Sequence, residues 1–147
     1  RARVGRVIPP TTPERLGTID KLAWIHIEEG RLLAVRSRGK DAFFIPGGKR
    51  EPGESDEQAL VREVKEELGV DLRTESLRPL HVFEAQAHGQ PEGVFVRMTC
   101  FTGDYVGELK PAAEIEELAW LTGADRDRMS LVTRIIGDWL REQRLLP

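Results

Sequence analysis

The apolar positions of the chain follow two periods, and the switches between them divide it into elements. From Asp20, DKLAWIHIEEG alternates, which places Leu22, Trp24 and His26 on one face of a strand and Ala23, Ile25 and Ile27 on the other. The turn signal EEGR closes that strand, and RLLAVRS follows as a second. KDAFFIPGG predicts a short apolar strand ended by Pro46-Gly47-Gly48. Two later alternating segments, LHVFEAQAH and GVFVRMTCFTGDY, stand a hairpin's distance apart around HGQPEG, and EELAWLT is a further short strand.

Over residues 56–68 the period becomes that of a helix. Ser55 supplies an N-cap, Gln58 completes a capping box, and Asp56 and Glu57 suit the positive end of the helix dipole. Gly69 falls where a left-handed residue ends a helix cheaply. Leu60, Val64 and Leu68 recur every four residues and form the stripe to be buried. The tail SLVTRIIGDWLREQRLL sets Leu131, Ile135, Trp139 and Leu140 near one face of a second helix, a core stripe rather than a partner groove. Residues 1–17, rich in proline, threonine and glycine, predict a flexible arm ahead of one domain over 18–147. The order of elements implies an α/β (α+β) domain, a mixed sheet flanked by the two helices.

Composition narrows the partners. The chain of 147 residues is long enough for one sizeable core, and a formal net charge of −3 leaves no basic footprint for a nucleic-acid duplex or an anionic membrane. No run of about 18 apolar residues is present to span a bilayer. The single cysteine, Cys100, permits no intrachain disulfide, and its strand-like surroundings mark it as a small buried hydrophobe. The basic N-terminus lacks the apolar core of a secretory leader, and a chain that starts at Arg1 rather than Met is expected to be a processed or trimmed product. A cytoplasmic protein, monomer or homodimer, is the expectation.

The chemistry concentrates in PGGKREPGESDEQALVREVKEELGV. Glu63, Glu66 and Glu67 crowd one sector of the helix beside its apolar stripe, although like charges at three- and four-residue spacing repel. A charged face merely solvated and paired with Arg62 and Lys65 would account for the acids alone, but not for the glycine loop in front of them. Preorganised hard oxygens suit Mg²⁺ or Mn²⁺, and a free glycine carbonyl can add a ligand. The loop is not a Walker A motif, no G-x-G-x-x-G is present, and no paired Cys/His motif serves zinc. His26, His81 and His88 have no ligand spacing and read as packing or surface residues.

Together these residues match the box G-x5-E-x7-R-E-U-x-E-E-x-G-U, with U a bulky apolar residue, at Gly48, Glu54, Arg62, Glu63, Val64, Glu66, Glu67, Gly69 and Val70. A chance match at average residue frequencies is on the order of 10⁻⁸. The chain therefore resembles the Nudix hydrolases over most of residues 20–145. The resemblance implies a Nudix-type α/β/α sandwich and a metal-dependent pyrophosphohydrolase cleaving a nucleoside diphosphate linked to a group X. It implies that Glu63, Glu66 and Glu67, with the Gly48 carbonyl, bind Mg²⁺ or Mn²⁺, and that one of them or a later glutamate activates water. For that later acid Glu114 fits best and Glu117 second, against surface charge for both. Glu54, Arg62 and Gly69 take supporting roles in the box. Arg36 matches a position that reaches substrate phosphate, with Arg38 and Lys49 as weaker candidates.

Group X is less defined. The segment AQAHG, at 85–89, lacks the proline or tyrosine usual there in ADP-ribose and dinucleoside polyphosphate subfamilies, and the compact layout resembles MutT-type enzymes acting on nucleoside triphosphates. Trp24, Phe43, Phe44, Phe83, Phe95 and Trp120 are the aromatics available for base stacking. The competing expectation is a nucleotide-binding sensor without hydrolysis, which would carry a DNA-binding module for which this chain has no room. A diphosphate isomerase would need Cys100 reactive beside the metal, and an idle box would have lost one of its paired acids.

Overall fold

The computed structural model describes residues 15–147; residues 1–14, most of the expected arm, lie outside the described residues. At its end Arg15 is placed over the Phe95 ring at 4.2 Å and donates to Glu84 at 3.0 Å. Strand β1 then begins at Gly17, three residues before the alternation that predicts it, and ends at Trp24. The expected strand over 20–30 is thus divided. Ile27–Glu28 form a separate β2, which turns through Glu29 and Gly30 onto β3, Arg31–Ser37. Both turn residues have positive φ, 52° and 74°, the two-residue geometry whose twist matches a hairpin.

The glycine pair Gly47–Gly48 is all that remains as strand β4 of the apolar segment ahead of the box. Helix α1 spans Asp56–Leu68, with the Ser55–Gln58 capping box formed and Gly69 left-handed at φ 73°. β5 (Asp71–Leu72), β6 (Arg78–Gln86), β7 (Val94–Thr102), β8 (Tyr105–Val106) and β9 (Ile115–Leu121) follow, then α2 (Leu131–Glu142). The strands form a four-stranded sheet in the order β4-β1-β7-β6, a three-stranded sheet β2-β3-β9, and a small β5-β8 pair. In the first, β1 and β7 run parallel while β4 and β6 are antiparallel to their neighbours. A mixed sheet arrangement between two helices is the expected sandwich.

The faces of β1 separate two cores. Leu22 and Trp24 join Leu60, Val64 and Leu68 of α1, whereas Ala23 and Ile25 join Val132, Ile136 and Leu140 of α2. His26, beyond the end of β1, stacks on Trp24 with ring centroids 4.7 Å apart and binds Glu28 at 2.6 Å. Every predicted stripe position of α1 is buried, each contributing about 2 kcal/mol by removal from water.

For α2 the stripe is displaced. Val132, Thr133, Ile136 and Leu140 are buried, while Leu131 and Ile135 remain 37% and 42% exposed. The helix carries apolar residues in two adjacent rows, so periodicity fits either. Packing against the sheet selects the Val132, Ile136 and Leu140 row, and Ser130 caps the helix start, its buried hydroxyl accepting from the Thr133 N–H and bonding the Thr133 hydroxyl at 2.8 Å. Trp139 keeps a part in the packing by stacking on His81 at 4.6 Å. Chemical denaturation should accordingly show Leu60→Ala losing about 2–5 kcal/mol, as large-to-small core changes do. Ile135→Ala should lose under about 1 kcal/mol; equal losses would put α2 in the other rotation.

Candidate active site

The loop before α1 is tied to the helix by one side chain. Arg62 donates to both Glu54 carboxylate oxygens, at 2.7 and 2.9 Å, and to the Lys49 carbonyl at 3.0 Å. Its remaining nitrogen reaches Glu63 and Glu66, each at 3.2 Å. The guanidinium, helped by the Glu51 N–H, holds the Glu54 carboxyl down at about 2. A fixed planar fork suits this bridging of several acceptors better than a lysine would.

On the inner side, β4 is wedged between β1 and α1, with no room for side chains beside Leu22 and Glu63 as they stand. A Cβ on Gly47 would strike the Leu22 backbone, and one on Gly48 would sit 2.6 and 2.7 Å from the Glu63 carboxylate oxygens. The Gly47 N–H donates to Glu67 at 3.0 Å. Glu67 is only 7% exposed; burial first, then Glu63 and Glu114, push its carboxyl up to about 8 against the pull of the Gly47 N–H. Burial likewise raises Glu63, opposed by Arg62.

Glu63, Glu67 and Glu114 line one cleft of about 380 Å³ together with Gly48. Lys21, Lys40 and Lys49 line it too, and beyond them lie Phe44, Ile45, Met98 and Val132, with His88 and Gln90 on the β6–β7 loop. The three late acids are separated by their partners. Arg36 donates to Glu117 at 2.9 Å and approaches Glu116 at 3.6 Å, which leaves Glu114 as the one lining the cleft. Arg38 holds the turn that carries Glu114, donating to the Ala113 carbonyl at 2.7 Å and through its backbone N–H to the Glu114 carbonyl at 2.8 Å.

The sequence-derived candidates thus fall into two groups. Glu63, Glu67, Glu114, Gly48 and Lys49 come together in the cleft; Arg36 and Arg38 stand outside its lining, engaged with Glu117 and Ala113. Glu66 also faces outward, half exposed against Arg62. Lys21, Lys40, His88 and Gln90 line the cleft without being candidates from the sequence. Lys21 had a readable signal, a cation between Ile19 and Ala23 in an otherwise apolar row. His88 had none: its contacts, Asp41 at 3.2 Å and the Phe44 ring, come from a distant loop. Of the aromatics named for stacking, Phe44 alone lines the cleft. Cys100 is buried in the core with its thiol pushed up to about 12 by burial, which removes the chemistry an isomerase would need.

The donor set fits a hard divalent cation. Carboxylates of Glu63, Glu67 and Glu114 and the Gly48 carbonyl are all oxygen, and Gly48 has no Cβ to fill the space beside Glu63. Among the described residues no three acidic, cysteine or histidine side chains already converge into a cage. A partial oxygen set is what Mg²⁺ uses when water and phosphate complete its shell. Among the described residues no helix is long and apolar enough to cross a membrane.

The profile of the NUDIX domain family matches residues 21–134, most of the chain. The chain belongs to the Nudix hydrolases, enzymes that cleave phosphoric anhydride bonds and generally use divalent metal ions. An ADP-ribose pyrophosphatase of Methanocaldococcus jannaschii is 28% identical over 118 residues, covering 78% of this chain and 68% of that protein. A solved structure from Chromobacterium violaceum, a candidate Nudix hydrolase, superposes with a TM-score of 0.67 at 27% identity, covering 86% of this chain and 79% of its own. The E. coli ORF135 protein superposes equally well, TM-score 0.67 at 25% identity, over 87% of this chain and 94% of its own.

The buried Glu67 carboxyl makes the metal-free fold sensitive to pH. A carboxyl raised from its ordinary 4.5 to about 8 favours the fold below 4.5, and that contribution is lost as pH rises to about 8. In the presence of a chelator, thermal denaturation should show the wild type losing stability over that window. Glu67→Gln should be less sensitive and the more stable of the two at pH 8. A wild type and variant with parallel pH profiles would place the Glu67 carboxylate in water.

Proposed function

We propose that this chain is a Mg²⁺-dependent pyrophosphohydrolase, with Mn²⁺ as the second metal, acting on a nucleoside diphosphate linked to X. The leading substrate is a nucleoside triphosphate, ordinary or oxidised, split to the monophosphate and pyrophosphate. One observation carries this: a single cleft joins an oxygen-rich acidic wall, three lysines and an apolar end floored by the sheet. Its volume suits a nucleotide-sized ligand. Lysines complement phosphate oxygens, and Phe44 with Met98 and Val132 offers an apolar seat for a base.

Glu63, Glu67, Glu114 and the Gly48 carbonyl would hold the metal; Glu66, a further ligand by the box resemblance, faces Arg62 and would have to leave it to join them. The ion supplies charge neutralisation of the phosphate oxygens and a water of lowered pKa. The protein's part is alignment and proton traffic. Arg62 locks the loop carrying Gly48 onto α1, so that the acidic wall and the Lys49 ammonium keep their spacing. Glu67 and Glu114 are the carboxylates set to accept the proton of the attacking water, Glu67 from α1 and Glu114 from the opposite element, with the cation's charge keeping both ionised. ADP-ribose is the second substrate considered, on the strength of the M. jannaschii relative's activity; the chemistry at the acidic wall would be the same, with a different X.

Purified protein with Mg²⁺ should be incubated with nucleoside triphosphates, oxidised triphosphates, ADP-ribose, diadenosine polyphosphates and nucleotide sugars, and the products resolved by chromatography. One class should be hydrolysed, with Glu67→Gln slower by about a hundredfold or more. Turnover of ADP-ribose in preference to triphosphates would select the second substrate. Undiminished activity in Glu67→Gln would move the metal off α1. Tight nucleotide binding with no turnover would make the chain a sensor.

A further inference from the structure

The floor of the cleft is a sheet face with an apolar pattern. Ile19 and Ala23 of β1, Ile25 just beyond it, and Val96, Met98 and Cys100 of β7 belong to the core beneath α2 or pack against it. Lys21 interrupts that row. Strand alternation sets its side chain on the face of Ile19 and Ala23, and its register partner on β7 is Met98. The side chain is half-buried in the cleft, and among the described residues its ammonium has neither an ion-pair nor a hydrogen-bond partner. The other two lysines of the cleft, Lys40 and Lys49, are exposed and stand on loops or loop edges. Glu63 and Glu67 act on this ammonium only from beyond ion-pair distance, and Lys49 opposes them, so part of the cost of drawing it out of water stays uncompensated. A ligand anion would offset that cost.

We propose that Lys21 is a substrate-contacting residue that grips the phosphate bearing the nucleoside. Its place along the cleft singles out that phosphate. The next residue, Leu22, pairs with Gly48 at the point where α1 delivers Glu63 and Glu67. On the other side of Lys21 the floor becomes apolar, with Ile19 and Met98 leading to the seat for the base. A diphosphate stretched between the acidic wall and the base passes Lys21 with its nucleoside-side phosphate. Lys49, across β4 and open to solvent, is left for the outer phosphate. The proposal rests on the nucleotide reading of the cleft and adds the assignment of one phosphate to one side chain.

The test compares the two product fragments. Binding of AMP, GMP, CMP and UMP, and separately of inorganic pyrophosphate, is measured calorimetrically with Mg²⁺ for the wild type, Lys21→Met and Lys21→Arg. Thermal midpoints establish folding, and Lys21→Gln replaces Lys21→Met should the latter not fold. The wild type should bind at least one monophosphate. Lys21→Met should weaken it about ten- to hundredfold, the range of one charged hydrogen bond, and Lys21→Arg should recover most of the loss. Pyrophosphate should bind all three alike. Unchanged monophosphate binding in Lys21→Met, or an equal loss for pyrophosphate, would overturn the assignment while leaving the nucleotide site standing. A wild type that binds no nucleotide would remove both.

Discussion

Where the Gly47 N–H meets the Glu67 carboxylate at 3.0 Å, β4 lies pressed between β1 and α1: a side chain on Gly47 would strike the Leu22 backbone, and one on Gly48 would displace the Glu63 carboxylate. The site depends on this contact. It fixes Glu67 out of water, sets Glu63 against bare backbone, and aligns Gly48 with Leu22 so that β4 joins the sheet. Glycine is required there by close approach and, at Gly47, by a positive φ as well. The loop that follows is held by Arg62, which spans Glu54, the Lys49 carbonyl and two helix acids, and by Arg50, which bonds Asp56 and Asp20.

Charge is distributed around the helix so that its two sides do different work. Outward, Arg62 neutralises Glu54, Glu63 and Glu66 in a network that is largely solvated. Inward, Glu67 faces Glu114 and Glu63 with one backbone N–H and the more distant Lys21 ammonium to support a negative charge. An acidic wall of that kind is unfavourable in the bare protein, and a bound cation would relieve it. The arginines that might have compensated it, Arg36 and Arg38, instead hold Glu117 and the turn before β9. They bear on the site by fixing the element that presents Glu114.

The two cores explain why the cleft keeps its shape. Helix α1 is pressed onto one face of β1 by Leu60, Val64 and Leu68, and α2 onto the other by Val132, Ile136 and Leu140. The acidic wall belongs to the first layer and the apolar end to the second, so β1 is the partition between them. Lys21, mid-strand on β1, lines the cleft alongside both.

Helix α1, its caps and its acids were legible in the sequence because every signal there is local: a capping box, a four-residue apolar period, a glycine at the end. The box also placed Arg62 with Glu54, eight residues apart, on the strength of its resemblance. What the sequence alone could not decide lies wherever two segments far apart must meet. Rotation of α2 was ambiguous between adjacent apolar rows until packing against the sheet selected Ile136 over Ile135. The resemblance ranked Glu114 ahead of Glu117, but the pairing of Glu117 with Arg36, 81 residues away, was not legible. Entry of His88 into the cleft waited on the Asp41 loop. Local pattern determines which elements form and which residues carry charge; only tertiary packing determines which of those charges find partners, because a partner's distance in space is set by the sheet and not by its distance along the chain.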